Sequence, residues 1–242
     1  FIHHKEEKFI MKLKKIASLM LAGVMAVSML TACGDNTVND PEQPNQPVEP
    51  TPAGYSSVLG DALVAQNVVN RKVHMQDSND LNAALKTAMK FAGEDVVSGI
   101  YDGMGANMPR YFNPADGDAI QLVARKLVDV MDSVNDADDV NSWDAIANLY
   151  ATEGNYDEDL NVTMLYVVND GVSVNAALEY IAAEISDAVE ELDINYDNNW
   201  NDFKAEVEYD YTGSVSADSV KLDANHGKGL TFIAVQITRT VV

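Results

Sequence analysis

The chain is poor in the residues on which most catalytic and redox sites depend. It has 242 residues, with one cysteine, Cys33, and only four histidines. A single cysteine cannot form an intramolecular disulfide. The motifs HExxH, CxxC, GxSxG and the phosphate-binding loop are also missing. We therefore assign no catalytic residue. A site built from serine or from a pair of carboxylates remains open, but no particular pair stands out among so many acids.

Basic residues are scarce in the region that follows Cys33. That region holds 11 Lys and Arg against 36 Asp and Glu, which gives a net charge of −25. Such a chain repels nucleic-acid phosphates, and it lacks a basic patch for anionic lipid headgroups. We therefore predict no nucleic-acid partner. We interpret the acidity as a solvated surface that maintains solubility. The alternative is a surface for cations or for a basic partner.

The N-terminal region carries the most specific pattern in the chain. Lysines at positions 12, 14 and 15 follow Met11, and residues 16–32 are apolar except for four small residues. A basic start, a short apolar core and a small-residue end predict a secretory signal peptide over residues 11–32. The alternative is a transmembrane helix, since about 17 apolar residues is the minimum that spans a bilayer. Residues 1–10 are interpreted as an extension outside the native reading frame.

The signal segment ends in Leu30-Thr31-Ala32-Cys33, which Gly34 follows. This sequence resembles the lipobox of bacterial lipoprotein precursors, in which leucine and two small residues precede an invariant cysteine. The resemblance covers residues 11–34. It implies that Cys33 receives a diacylglyceryl group, carries fatty acyl chains such as palmitate, and becomes the new N-terminus. It also implies an extracytoplasmic protein that is anchored to a bacterial membrane by lipid.

Residues 33–53 follow the signal segment and have the composition of a tether. From position 35 onward this stretch contains five prolines, several acids and amides, and valine as its only bulky apolar residue. It cannot bury enough apolar surface to fold, and proline favours an extended chain. At about 3.1 Å per residue, such a segment reaches up to about 60 Å. We interpret it as a spacer between the lipid and the domain.

Residues 54–242 have the length and composition of one globular domain that needs no disulfide. Amphipathic periodicity predicts helices near residues 78–91, 116–134, 145–150 and 173–192. Strand patterns lie mostly in the second half, at residues 162–168, 203–211, 215–222 and 230–242. This order predicts an α+β fold, with several amphipathic helices packed on a mainly antiparallel sheet formed largely by the C-terminal half. We expect helices to cover one face of that sheet.

One acidic segment has the spacing of a calcium loop. Asp193, Asn195 and Asp197 place oxygen side chains at alternate positions, as in the first half of such a loop, and Asn201 lies four residues further on. The pattern is incomplete, because Lys204 stands where the closing carboxylate belongs and the turn glycine is missing. The two interpretations are a Ca²⁺ site at these four residues and an Asx-rich exit from the preceding helix. No other cofactor is predicted.

Two functions are consistent with these observations. The first is a lipid-anchored surface protein that acts as a binding, scaffold or interaction module, with the membrane reached through Cys33 and a cell-wall or protein partner. It depends on the tether, the acidity and the missing catalytic motifs. The second is a cell-surface hydrolase that acts on wall polymer or peptide through acidic residues. A deep cleft with two carboxylates about 5–10 Å apart would favour the hydrolase.

Overall fold

The computed structural model describes residues 54–68, 72–91, 108–112, 114, 121–135, 141–198, 205–223 and 228–242. All of them belong to a compact unit that spans Pro50–Val242. Cys33, the signal segment, the tether and Asn201 lie outside the described residues. In the part of the chain that is described, no helix is both long enough and apolar enough to cross a bilayer.

The described residues form five helices and six strands. The helices are α1 (Tyr55–Ala65), α2 (Asn79–Met89), α3 (Gln121–Met131), α4 (Ser142–Ala147) and α5 (Val174–Glu190). The strands are β1 (Val73–Met75), β2 (Arg110–Phe112), β3 (Leu160–Asn169), β4 (Asn195–Asn198), β5 (Ala205–Asp223) and β6 (Lys228–Val241). The sheet strands lie mostly in the C-terminal half, as predicted.

The strands form one sheet in the order β1-β5-β6-β3-β2, and β4 pairs with the first part of β5. The long hairpin of β5 and β6 runs in register from Tyr209 opposite Val241 to Lys221 opposite Gly229. Strand β3 pairs with β6 and β2 pairs with β3, both antiparallel, whereas β1 lies parallel to β5. The predicted α+β class with a mainly antiparallel sheet is confirmed.

Helices cover both faces of the sheet, so the expectation of one covered face is wrong. Helices α1, α4 and α5 pack on the face that carries Tyr166 and Val235. Helices α2 and α3 pack on the opposite face against Leu165, Val167 and Phe232. The physical reason lies in β3, whose residues are buried without interruption over positions 162–168. A strand that is apolar on both sides needs a cover on both sides.

Side-chain oxygens cap three of the helices at their first turn. Ser78 accepts a hydrogen bond from the Leu81 N–H at 3.1 Å, and Ser173 accepts one from the Ala176 N–H at 3.3 Å. Asn141 accepts from the amides of the second and third residues of α4, at 2.9 and 3.1 Å. Each cap satisfies a backbone donor that has no partner inside the helix. These caps explain why α2, α4 and α5 begin where they do.

Several elements differ from the predictions. The pattern over residues 215–222 belongs to the 19-residue strand β5 and is not a separate strand. Helix α1 and the short strands β1, β2 and β4 were not predicted. Strands of three or four residues carry too little alternation to be seen in a sequence. Tertiary pairing defines them instead, as when Val73 lies opposite Tyr211 of β5.

Candidate functional site

A cavity of about 260 Å³ lies between helix α1 and strand β1. One wall is a stripe of α1 formed by Ser57, Gly60, Asp61 and Val64, which follow one another at helical spacings of three, one and three residues. This stripe lies beside the buried face of α1, so the cavity opens next to the core. Strand β1 and the chain leading to it form the other wall, and Val189 of α5 also lines the space.

Most of the remaining lining is apolar. Leu63, Val68 and Val73 are buried with 5–8% of their surface exposed, whereas Val64 at the mouth is 48% exposed. An exposed valine next to buried ones gives the cavity an apolar entrance. Small-molecule sites are typically concave and apolar, with a few polar groups at their edge. The cavity has this character, and its volume of about 260 Å³ lies just below the usual range for such sites.

Two glycines allow strand β1 to approach its neighbours closely. A Cβ atom on Gly60 of α1 would lie 2.9 Å from Cγ of Met75, and one on Gly213 of β5 would lie 2.4 Å from its Sδ. The Met75 side chain therefore occupies space that any other residue at these two positions would fill. Met75 packs closely against both glycine positions and forms part of the cavity wall.

Lys72 lines the cavity but its ammonium group is already engaged. The ammonium donates hydrogen bonds to the carbonyl oxygens of Glu190 and Leu192, the latter at 2.9 Å. These carbonyls stand at the C-terminal end of α5, where the helix dipole is negative. Lys72 therefore caps the C-terminal end of α5 and links this end to the segment that leads into β1. Nothing in the sequence pairs residue 72 with residue 190, so this role could not be predicted.

Three further polar residues, Ser57, Asp61 and His74, belong to the lining of the cavity. Ser57 donates its hydroxyl to the Gly54 carbonyl oxygen at 2.7 Å. His74 lies between Val73 and Met75 on β1, and strand alternation directs its side chain to the other face of the sheet. No hydrogen bond joins these three side chains to one another within the described residues. The arrangement is therefore suited to binding and not to a serine–histidine relay in this state.

Asp61 is the only carboxylate among the described residues that line the cavity. The fold brings Asp61 of α1 to the cavity that β1 also lines. The hydrolase hypothesis asks for two carboxylates in one cleft, and the described lining supplies one. The helical spacing of residues 57, 60, 61 and 64 is the sequence pattern that could have placed Asp61 on the same helix face as the other three.

The described residues predicted to bind calcium lie in and just before strand β4, which pairs with β5 a few residues before β1 does. Asp193 accepts a hydrogen bond from the Ala151 N–H at 3.0 Å, so one of its carboxylate oxygens is engaged. Asn195 and Asp197 belong to strand β4, and both are exposed. The segment is thus extended over these positions and does not curl as a calcium loop would.

Strand pairing surrounds Asn195 and Asp197 with further acids. Asn195 lies opposite Glu208, and Asp197 lies opposite Glu206. Both glutamates are exposed, as is Asp210 two residues further along the same face of β5. In the described part of the chain, no three His, Cys, Asp or Glu side chains are grouped closely enough to hold a metal ion. The calcium site stays a prediction.

A second group of ionisable residues links α4, α5 and the centre of the sheet. The fully buried Ser142 donates its hydroxyl to Glu184, which exposes part of its side chain to solvent. Loss of solvation raises the pKa of the Glu184 carboxyl, and the hydrogen bond from Ser142 partly opposes this. Complete burial and then the nearby Glu184 charge raise the pKa of Tyr166 well above its usual range. Because Ser142 has no exposed surface, this group stabilises the helix contact and offers no open reaction site.

The end of the sheet near β4 is rich in tyrosines. The rings of Tyr156 and Tyr196 stack with centroids 5.2 Å apart, and Trp143 meets the ring of Tyr150 edge-on at 6.2 Å. Tyr150 donates its hydroxyl to the Ala188 carbonyl oxygen at 3.2 Å. These contacts attach the segment that follows α4 to the rest of the fold. No protein-family model, curated protein or solved structure matches this chain.

Proposed function

We propose that this protein is a bacterial lipoprotein, anchored through Cys33 on the outer side of a membrane, whose folded domain acts as a binding module. The proposal rests first on the lipobox resemblance over residues 11–34 and on the proline-rich tether over residues 33–53. One acyl chain gives only marginal binding to a bilayer, whereas two or three chains on one cysteine hold a protein durably. The anchor would keep the domain at the surface while leaving it outside the lipid.

One observation supports this organisation above the others: Gly54 and Ser56, which directly follow the predicted tether in the sequence, are bonded to the folded domain. Gly54 donates its N–H to the Asp77 carboxylate at 3.3 Å. Two residues later, the buried Ser56 hydroxyl accepts a hydrogen bond from the Val215 N–H of β5 at 2.9 Å. The chain is therefore attached to the sheet from its first described turn onward. This attachment supplies a folded end for the spacer that the sequence predicts over residues 33–53.

The cavity between α1 and β1 supports the binding role of the domain. It combines apolar walls with a few polar groups at its edge, which is the usual composition of a ligand site. It also lies directly beside the attachment point of the tether, since Ser57 contributes to its lining. The candidate partners are components of the cell wall, other proteins and small molecules outside the membrane.

The anchor is tested with the Cys33→Ala variant in the bacterial host. We expect the wild-type chain in the membrane fraction and in the detergent phase after phase separation. The variant should move to the soluble extracytoplasmic fraction, because it has no sulfur for the lipid. Thr37→Ala, a change in the tether, is the matched control and should stay with the membrane. Mass spectrometry of the N-terminal peptide should show a lipidated cysteine in the wild type.

Retention of Cys33→Ala in the membrane fraction would contradict the lipid anchor. It would indicate instead that residues 16–32 remain in the bilayer as a transmembrane helix. An unmodified Cys33 in the wild-type N-terminal peptide would likewise contradict the lipid anchor.

A further inference from the structure

We propose that the cavity between α1 and β1 binds a small aliphatic ammonium compound, with the alkyl chain against the apolar walls and the ammonium group on the Asp61 carboxylate. The inference rests on the binding role proposed for the domain and specifies the class of ligand. It does not depend on the lipid anchor. Three properties of the cavity carry it: its apolar interior, the exposed carboxylate in its lining and the hydrogen bonds of its one described lysine.

The apolar interior selects an alkyl chain. Leu63, Val68, Val73 and Val189 are buried side chains from four different segments, and they meet at this one space. Val64 extends the same apolar surface to the mouth, where it is 48% exposed. A hydrocarbon chain that enters would remove this surface from water. Each added methylene should strengthen binding by about three- to fourfold until the space is full.

The exposed carboxylate selects a cation. Asp61 lies one turn before the end of α1 and is exposed at the cavity edge. Among the described residues, its carboxylate makes no hydrogen bond or ion pair. A carboxylate and an ammonium group form a charge-assisted hydrogen bond, which is among the stronger polar contacts in proteins.

The hydrogen bonds that Lys72 already makes argue against an anionic ligand. Its ammonium donates to two carbonyl oxygens at the end of α5, where the partial negative charge of the helix balances it. An anion would have to displace those bonds and would also approach Asp61. The net charge of −25 after Cys33 attracts cations to the domain and repels anions. A ligand with one positive charge and a short apolar body fits all three conditions.

The test measures binding of n-hexylammonium to the full chain by isothermal titration calorimetry. The chain carries Cys33→Ala, so that no acyl chain competes for the cavity. The neutral n-hexanol and the anionic hexanoate have the same carbon chain and serve as matched ligands. The ionic strength is held constant with sodium chloride. A series from n-propyl- to n-hexylammonium measures the contribution of each methylene.

We expect saturable binding of n-hexylammonium to one site, with n-hexanol weaker and hexanoate weaker still. Asp61→Asn keeps the shape of the side chain and removes its charge, so it should weaken n-hexylammonium binding by about two- to fivefold, as expected for an exposed ion pair. Asp129→Asn, which changes an exposed acid on α3 outside the cavity, should have little effect. Val64→Trp should block the mouth without disturbing the fold, because residue 64 is half exposed.

Three outcomes would overturn the proposal. The first is the lack of saturable n-hexylammonium binding. The second is an equal loss in Asp61→Asn and Asp129→Asn, which would indicate a general attraction of cations to an acidic surface. The third is equal affinity for n-hexanol or hexanoate, which would show that Asp61 does not select charge. Membrane fractionation tests the anchor in a separate experiment, so failure of one proposal leaves the other measurable.

Discussion

The guanidinium of Arg239 lies over the ring of Tyr209, with its Cζ atom 4.7 Å from the ring centroid. Arg239 has no exposed surface, and it is the largest fully buried side chain of the described residues. It donates hydrogen bonds to the carbonyl oxygens of Leu149, Asn155 and Glu158, at 2.9 Å for the first and 3.1 Å for the last. One side chain of β6 thus holds the whole segment between α4 and β3.

Replacing Arg239 should therefore be among the most damaging single changes in the domain. Arg239→Lys keeps the charge but loses the fork that reaches three carbonyls at once. We expect a loss of about 3 kcal/mol or more in the free energy of unfolding, since a buried charge and several carbonyls lose their partners. Equilibrium urea denaturation measures this. Arg110→Lys, on the exposed Arg110 above the Phe112 ring, is the control and should cost less than about 1 kcal/mol. Equal costs would contradict the anchoring role.

Gly213 should not tolerate a larger side chain. An added Cβ would lie 2.4 Å from Sδ of Met75 and 2.8 Å from Cγ1 of Val73. Gly213→Ala should lower the free energy of unfolding by about 1–3 kcal/mol through overpacking. Gly171→Ala, where a Cβ would meet nothing within 4 Å, is the control. Shortening Met75 to Ala in the Gly213→Ala background should recover part of the loss in a double-mutant cycle. A purely additive cycle would show that the Met75 contact does not cause the loss.

The carboxyl of Glu184 should make stability depend on pH. Partial burial raises its pKa in the folded state, so the folded chain binds a proton there more tightly than the unfolded chain does. The resulting stabilisation is present below the unfolded pKa and is lost as the pH rises through the folded pKa. Glu184→Gln removes this dependence and still accepts the hydrogen bond from Ser142. We therefore expect the free energy of unfolding of Glu184→Gln to increase relative to that of the wild type as the pH rises from 4 to 7. The increase should be less than about 1 kcal/mol, because the Glu184 side chain is partly exposed.

Urea denaturation of both proteins across this pH range measures the difference in the free energy of unfolding. Glu190→Gln changes an exposed acid near the end of the same helix and controls for the loss of one negative charge. A difference between wild type and Glu184→Gln that stays constant with pH would refute this account of Glu184.

Calcium should stabilise the domain if the residues predicted from the sequence bind it. Strand pairing sets Asp197 directly opposite Glu206, and two like charges in such a pair repel each other. A Ca²⁺ ion near this pair would relieve the repulsion, and Glu206 could replace the closing acid that the sequence pattern lacks. Millimolar Ca²⁺ should then raise the Tm, whereas Asp197→Asn should abolish the shift. Mg²⁺ at the same ionic strength is the control, and an unchanged Tm in Ca²⁺ would remove the site.

The sequence by itself determined the features that depend on neighbouring residues. The continuous apolar run at residues 162–168 is β3, because a strand buried on both faces needs no polar alternation. The helices predicted to begin near residues 78 and 173 do so, because Ser78 and Ser173 each cap an amide three residues further along the chain. The α+β class follows from the order of these elements. The lipobox and the proline-rich tether are likewise local patterns, and they support the proposed anchor.

Only the tertiary structure decided which distant residues meet. Asp61 and Val73 share a cavity because α1 packs beside β1, and no local spacing records that contact. Arg239 reaches Leu149 across 90 positions of the chain, which makes a basic residue in a β-rich segment a core residue. The exposed strand β4 exists because its pairing with β5 outweighs the loop tendency of its Asx residues. Long-range packing and pairing free energies are absent from any window of the sequence, and they determine the site.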